Sequence, residues 1–241
     1  MRERHHPIAA PTPDRYLPRM VERITAREFQ AAPGVEDWRV VGDGACAFFR
    51  TGSFMASAVF VAAVSELPGI SDQPPDLDIR AGGVTVRLIT YTADYFGMSR
   101  HDVELARQIS ATAREQGATA DPSVVQSVLI VPGALAVSAV MPFWEAVLGY
   151  EPRRDSPTED LVDPNNRGPA FWLEKMKEPR KDGGGAIHIA VWVPHDQAPA
   201  RVAAALAAGG RMVRDEFAPA WWTLDDAADN EADIATIQHR D

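Results

Sequence analysis

The sequence has little cysteine, a shortage of positive charge and no long apolar run, and each shortage excludes a class of protein. Cys46 is the one cysteine among 241 residues, so an intrachain disulfide and a cysteine-rich zinc site are both excluded. Lys and Arg number 24 against 34 Asp and Glu, which gives a net charge of −10. Because phosphate groups attract basic surfaces, we expect neither nucleic acid nor a membrane as a partner.

The chain also lacks the features of a targeting segment. Residues 1–20 are charged and proline-rich, without the apolar centre of a signal peptide. No stretch approaches the roughly 18–20 apolar residues of a membrane helix. We therefore expect a cytoplasmic protein with a flexible leader over residues 1–20. A chain of 241 residues suits two domains, which we place at residues 21–117 and 124–241, with a linker at 118–123.

The first of these domains alternates helices with pairs of strands. Residues 76–80 and 84–88 alternate apolar and polar side chains on either side of a glycine-containing turn, which predicts an antiparallel hairpin. The order helix, two strands, helix, two strands, helix favours an α+β fold with an antiparallel four-stranded sheet and helices on one face. In the helix after Ser53, one apolar side is predicted to be buried. Its members are Phe54, Ala58, Val61 and Ala62.

Two segments of this domain carry a family resemblance. Residues 75–90, "PDLDIRAGGVTVRLIT", and residues 102–109, "DVELARQI", occur in the order and spacing of the pterin-4a-carbinolamine dehydratases. The chain resembles this family from about residue 24 to 115. The resemblance implies an α+β domain that forms homodimers or homotetramers. It also implies dehydration of a 4a-hydroxytetrahydropterin to the quinonoid dihydropterin, which makes the chain a candidate hydro-lyase.

The residues that would perform this reaction are replaced. The family supplies imidazoles from a His-His-Pro run and from a later histidine, and the matching positions are Gln73, Pro74 and Tyr91. An imidazole titrates near neutral pH, whereas a glutamine side chain does not titrate and a tyrosine has a pKa of about 10. We therefore expect the ordinary dehydration to be weak, lost or repurposed to another dehydration or cyclisation. The candidate catalytic residues are Asp72, Gln73 and Tyr91, although Asp72 is equally typical of a turn.

The second half resembles a different family. "VQSVLIV" (125–131), "MPFWEAVLGY" (141–150) and "AIHIAVWV" (186–193) follow the element order of glyoxalase-like domains of the vicinal oxygen chelate superfamily. This resemblance implies paired βαβββ modules that form a curved sheet around a cavity. Some members of the superfamily hold a divalent metal with one ligand on each of four strands. The positions that match those ligands are Gln126, Glu174, His188 and Asp233.

Several side chains could bind a ring-shaped ligand in either half. We expect a small-molecule partner, either a pterin or another polycyclic compound, because both resemblances imply cavities and aromatic rings stack on flat ligands. The candidate ligand-binding residues are Asp76, Tyr95, Phe96, Trp192 and Trp222. No cofactor is indicated apart from the divalent metal of the second resemblance, and the tryptophans could equally form a core.

Three hypotheses of function remain at this point. In the first, the chain is a dehydratase-like protein with an altered site. In the second, the glyoxalase-like domain is the enzyme, with or without a metal, and the first domain is a platform for oligomerisation. In the third, both domains only bind a ligand or assemble another protein, since a fold by itself does not determine function. The identity of the substrate does not follow from the sequence.

Overall fold

The computed structural model describes residues 21–92, 94–178, 187–225, 227 and 231–239. The leader predicted for residues 1–20 lies outside them. The helices of the described part are α1 (Ala26–Ala31), α2 (Phe54–Ser65), α3 (Arg100–Glu115), α4 (Val137–Leu148) and α5 (Ala198–Ala207).

The first domain contains two antiparallel sheets. Its strands are β1 (Arg23–Ile24), β2 (Arg39–Val41), β3 (Gly44–Arg50), β4 (Asp76–Arg80), β5 (Gly83–Leu88), β6 (Thr90–Tyr91), β7 (Phe96–Ser99) and β8 (Thr119–Ala120). The main sheet has the order β2-β3-β5-β4, and β8 pairs with β3 beside β2. The small sheet has the order β1-β7-β6. The predicted α+β class and antiparallel sheet are confirmed, and β8 adds a fifth strand to the predicted four.

The residue pattern explains how the helices and the main sheet form. Val84, Val86 and Leu88 point into the core beneath the helices and are at most 1% exposed, while the residues between them face the other side. Thr25 caps α1, and its hydroxyl and the Glu28 carboxylate satisfy each other's backbone N–H groups in a capping box. Helix α3 begins at Ser99 with the same arrangement, in which Asp102 supplies the carboxylate.

The predicted buried side of α2 is wrong. The helix buries Ser57, Phe60 and Val64, while Phe54 is 60% exposed and Ala58 also faces outward. Because almost every residue of α2 is apolar, the sequence pattern does not distinguish one side of this helix from another. The tertiary fold selects the side, and a second apolar side is left exposed.

The second domain is one large sheet with two helices on one face. Its strands are β9 (Ser127–Ala134), β10 (Glu151–Pro152), β11 (Asp160–Val162), β12 (Ala170–Trp172), β13 (Glu174–Lys175), β14 (Ile187–Trp192), β15 (Arg211–Arg214), β16 (Trp221–Asp225) and β17 (Glu231–Ala235). The strand order is β10-β11-β12-β9-β14-β17-β16-β15, and β13 also pairs with β9. A strand, a helix and three or more strands occur twice along the chain, so the predicted pair of βαβββ modules is confirmed.

The two domains contact each other through the face of the main sheet that lies opposite its helices. Cys46 and Val41 of the first domain pack with Val125 and Trp192, and an ion pair of 2.8 Å joins Arg39 to Asp196. The sequence pattern predicts that this face meets solvent, but in the structure the second domain covers part of it. The segment predicted as a linker contains β8 and therefore belongs in part to the first sheet. The other domain boundaries stay a prediction.

None of the helices in the described part of the chain is long and apolar enough to cross a lipid bilayer.

Candidate active site between the two domains

A cleft of about 870 Å³ lies where the first domain meets the second. This volume is in the upper part of the range for pockets that bind drug-sized ligands. The six candidate residues of the first domain all line it: Asp72, Gln73, Asp76, Tyr91, Tyr95 and Phe96. The second domain contributes the region between β10 and the loop after β11, including Arg153 and Asn166. The structure therefore brings together residues that lie up to 94 positions apart, between Asp72 and Asn166.

Gln73 is held by a buried polar network. Its side-chain nitrogen donates to the hydroxyl of Thr90 at 2.8 Å and to the carboxylate of Asp102 at 2.5 Å. Thr90 and Ser99 also donate to Asp102, at 2.8 and 2.9 Å. Both amide hydrogens of Gln73 are thus engaged, so the side chain positions the loop and has no proton to exchange.

Asp102 is the residue of this network that the sequence did not place at the site. It is also the carboxylate of the capping box at the start of α3. In the structure its side chain is fully buried behind Gln73. Burial raises the pKa of the Asp102 carboxyl, and the hydrogen bonds from Thr90 and Ser99 oppose that rise. The signal in the sequence that could have placed Asp102 at the site is this capping box, because it begins a helix next to the candidate residues.

Tyr91, which the sequence resemblance matches to the family's later histidine, is a poor base. Burial raises its pKa to about 12, so the phenol keeps its proton at neutral pH. Its hydroxyl oxygen accepts a hydrogen bond of 3.1 Å from the side-chain amide of Asn166. Its ring meets the ring of Phe96 edge-on, with 4.8 Å between the centroids.

The other candidate residues of the first domain have different surroundings. Asp76 lies 3.6 Å from the guanidinium of Arg87, and Asp72 is exposed at the mouth of the cleft. The hydroxyl of Tyr95 donates to the backbone oxygen of Met98 at 2.6 Å, and the guanidinium of Arg23 covers one face of its ring at 4.5 Å. Of the carboxylates in this wall, Asp72 is therefore the one most accessible to a ligand.

Arg153 forms much of the opposite wall. Its guanidinium lies 4.8 Å above the ring of Phe96, a cation–π contact that joins the domains. The same group forms ion pairs with Asp155 at 2.8 Å, with Asp43 at 3.4 Å and with Asp160 at 3.5 Å. Its positive charge is consequently balanced by neighbouring carboxylates.

The two tryptophans predicted to bind ligand are not among the residues that line this cleft. Trp192 packs at the domain contact beside Cys46 and Val125. Trp222 packs against the small core beneath α5, next to Leu224 and Ile234. Alternation along a strand shows that such side chains face a buried surface, but it does not show whether that surface is a cavity or a core.

The predicted metal ligands come together only in part. The Nε2 atom of His188 lies 3.5 Å from one carboxylate oxygen of Asp233, and the other oxygen accepts a hydrogen bond of 2.6 Å from Thr223. Gln126 instead accepts from Arg201 at 3.3 Å. Within the described ranges, no group of three or more His, Cys, Asp or Glu side chains is arranged to hold a metal ion. As placed, the four residues do not fit a ligand set, and the metal site stays a prediction.

The hydrogen bond that the imidazole of His188 donates to Asp233 raises the pKa of His188, and burial of the imidazole opposes that effect. The charge of Glu174 contributes in the same direction as Asp233. Of the predicted ligands, Asp233 and Glu174 thus favour the charged imidazole of His188, whereas Gln126 is engaged with Arg201.

Comparison with known proteins identifies both halves. Residues 22–112 match the family described as pterin 4 alpha carbinolamine dehydratase, and residues 129–235 match the glyoxalase-like domain. A Nocardia farcinica protein, provisionally named a pterin-4-alpha-carbinolamine dehydratase, is 36% identical over 84 residues, which are 35% of this chain and 86% of the relative. A Mycobacterium leprae protein with the same provisional name is 33% identical over 75 residues, which are 31% of this chain and 78% of the relative.

Among solved structures, a glyoxalase/bleomycin resistance protein/dioxygenase superfamily member from Vibrio splendidus is similar, with 16% identity and a TM-score of 0.32. The match covers 46% of this chain and 99% of the other. From the matched residues and the curated relatives, the chain belongs to the pterin-4a-carbinolamine dehydratase family, and a glyoxalase-like domain follows its dehydratase domain.

Proposed function

We propose that the chain binds a small cyclic ligand in the cleft between its domains and that dehydration of 4a-hydroxytetrahydropterin is weak, lost or repurposed. The observation that carries this proposal is the chemistry of the cleft walls. None of the described residues that line the cleft is a histidine. The glutamine at the first family position is engaged with Asp102, and the tyrosine at the later position has a pKa of about 12.

The reaction needs one group that removes a proton and another that delivers one near neutral pH. Asp72 is the candidate base, since a carboxylate at the open side of the cleft can reach a bound ring. Tyr91 carries a proton at neutral pH and is the candidate donor, but a raised pKa makes it a weak acid. Such a pair supports slow proton transfer or orients a ligand, in keeping with a weak or altered reaction.

Stopped-flow assay of 4a-hydroxytetrahydropterin tests the proposal. We expect the unmodified chain to accelerate dehydration far less than a family member that retains its histidines. A variant that combines Gln73→His, Pro74→His and Tyr91→His should react faster than the unmodified chain, because it returns imidazoles to the three positions. Conversion by the unmodified chain at the rate of ordinary family members would overturn the proposal.

We also propose that the chain forms homodimers or homotetramers. The supporting observation is the exposed apolar side of α2, where Phe54 is 60%, Met55 73% and Val59 48% exposed. Three large apolar side chains together on one helix are typical of a contact surface.

A second candidate function places the chemistry in the glyoxalase-like domain. The observation that favours it is the contact between His188 and Asp233 on neighbouring strands. Elemental analysis of the purified protein is the test. Bound divalent metal that is lost in His188→Ala, but retained in an exposed control such as His239→Ala, would support this function over the first.

A further inference from the structure

Two side chains of the second domain contact the aromatic residues Tyr91 and Phe96 of the cleft. Asn166 donates to the hydroxyl of Tyr91, and the guanidinium of Arg153 lies over the ring of Phe96. Tyr91 and Phe96 touch each other edge-on. A ligand that contacts this aromatic pair therefore lies within reach of side chains from the second domain.

The loop that carries Asn166 is fixed in position. The carboxylate of Asp163 accepts hydrogen bonds of 2.9 to 3.0 Å from the backbone N–H groups of Asn165, Arg167 and Gly168. Asn166 has a φ of 53°, in the left-handed region that asparagine adopts more readily than most residues. These bonds hold the backbone of the loop, and from that backbone the Asn166 side chain reaches the hydroxyl of Tyr91.

The hydroxyl of Tyr91 is prepared to donate a hydrogen bond. An oxygen that accepts from an amide has its own O–H bond polarised, so that it donates more strongly. Because the raised pKa keeps the phenol protonated, this donor persists across the neutral pH range. Its natural partner is a carbonyl oxygen or a ring nitrogen of a flat ligand.

The charges around the cleft oppose an anionic ligand. Five carboxylates line it, from Asp72, Asp76, Glu151, Asp155 and Asp163, against the two guanidinium groups of Arg153 and Arg154. Ion pairs offset charges on both sides of this count, since Arg153 pairs with Asp155, Arg87 with Asp76 and Arg167 with Asp163. The carboxylates still outnumber the guanidinium groups that line the cleft, and like-charge contacts with an anionic substituent reduce affinity.

From the contacts and charges of the two walls together, we propose that the second domain completes the ligand site and that Asn166 is a specificity-determining residue. The ligand is a flat ring compound that accepts a hydrogen bond and carries no anionic group. This inference rests on the proposed function, because it assigns the ligand class of the same cleft. It adds that the dehydratase domain alone does not determine what is bound.

Fluorescence titration of the full chain with pterin and with pterin-6-carboxylate tests the inference. The two probes differ by one carboxylate. We expect at least about tenfold tighter binding of pterin, from like-charge repulsion in the cleft. Asn166→Gly, which tolerates the left-handed backbone, should weaken pterin binding about three- to tenfold, the range expected for one lost hydrogen bond. Asn165→Ala, one residue away with a side chain outside the cleft, should bind as the unmodified chain does.

A charge pair supplies the second control. Glu151→Gln removes a carboxylate from the cleft and should reduce the ratio of the affinity for pterin to the affinity for pterin-6-carboxylate. Glu159→Gln, which lies outside the cleft, should leave that ratio unchanged. Circular dichroism verifies that each variant is folded. Equal affinities of Asn166→Gly and Asn165→Ala, or equal binding of both probes by the unmodified chain, would overturn this inference alone. Binding of neither probe by the unmodified chain would overturn the proposed function and this inference with it.

Discussion

The side-chain amide of Asn166 donates a hydrogen bond of 3.1 Å to the phenolic oxygen of Tyr91. This bond joins a loop of the glyoxalase-like domain to a residue of the dehydratase domain that lines the cleft. Tyr91 therefore acts as a contact between domains, and its protonation and its bonding partner can each be tested.

Tyr91 should ionise at a higher pH than the other tyrosines of the chain. Burial raises its pKa from 10.0 to about 12, so the stability that depends on the protonated phenol is complete below about pH 10 and is lost as the pH rises through 12. Ultraviolet absorbance during an alkaline titration should show one tyrosine ionising near pH 12. Tyr91→Phe should remove that step and no other. Ionisation of every tyrosine near pH 10 in the folded protein would contradict the prediction.

Gln73 should stabilise the fold through Asp102. Gln73→Ala removes the donor to one oxygen of a buried carboxylate, and we expect a loss of about 1–2 kcal/mol in the free energy of unfolding. Gln73→Glu places a second carboxyl within hydrogen-bond distance of the first, and two such groups do not both ionise readily. That variant should therefore be less stable at pH 8 than at pH 5, as measured by urea unfolding. Stability of Gln73→Glu that does not depend on pH would show that the network does not form.

The loop that presents Asn166 should depend on the ionised form of Asp163. Hydrogen bonds from the backbone of Asn165, Arg167 and Gly168 lower the pKa of Asp163 from 3.8 to about 2. A lowered pKa means that this stabilisation is present above about pH 4 and is lost as the pH falls toward 2. The difference in urea midpoint between the unmodified chain and Asp163→Asn should accordingly be largest above pH 4. A difference in urea midpoint that stays constant down to pH 2 would contradict this prediction.

Cys46 should report whether the domains stay together. The thiol of Cys46 is buried at the domain contact, and burial raises its pKa to about 11. At neutral pH a reagent therefore has little access to the sulfur, and little of the thiol is ionised to the reactive thiolate. Since the chain has one cysteine, reaction with a thiol reagent such as DTNB has a single source. We expect slow labelling of the folded protein and complete labelling in urea. Rapid labelling without denaturant would show that the second domain leaves the sheet readily.

The exposed side of α2 should determine the association state. Met55→Glu and Val59→Glu each place a charge among exposed apolar side chains, so we expect a smaller mass by light scattering than for the unmodified chain. Ser65→Glu, at the end of the same helix, should leave the mass unchanged. A monomeric unmodified chain, or variants that keep its full mass, would contradict the proposed dimer or tetramer.

Short-range patterns in the sequence predict the local structure and carry the resemblance to two families. Alternation in β4 and β5, the capping residues Thr25 and Ser99, and the positions of Gln73 and Tyr91 follow from such patterns, because strand period, cap geometry and residue identity are all local properties. For the same reason, short segments of the chain were enough to show both resemblances.

Which buried surfaces meet depends on the folding of the whole chain. The approach of Asn166 to Tyr91, the place of Trp192 at the domain contact and the buried side of α2 all depend on residues far apart in sequence. Hydrophobic patterning indicates that a side chain is covered, but burial is driven by the removal of apolar surface from water and does not specify the covering partner. The second wall of the cleft is therefore a property of the folded pair of domains.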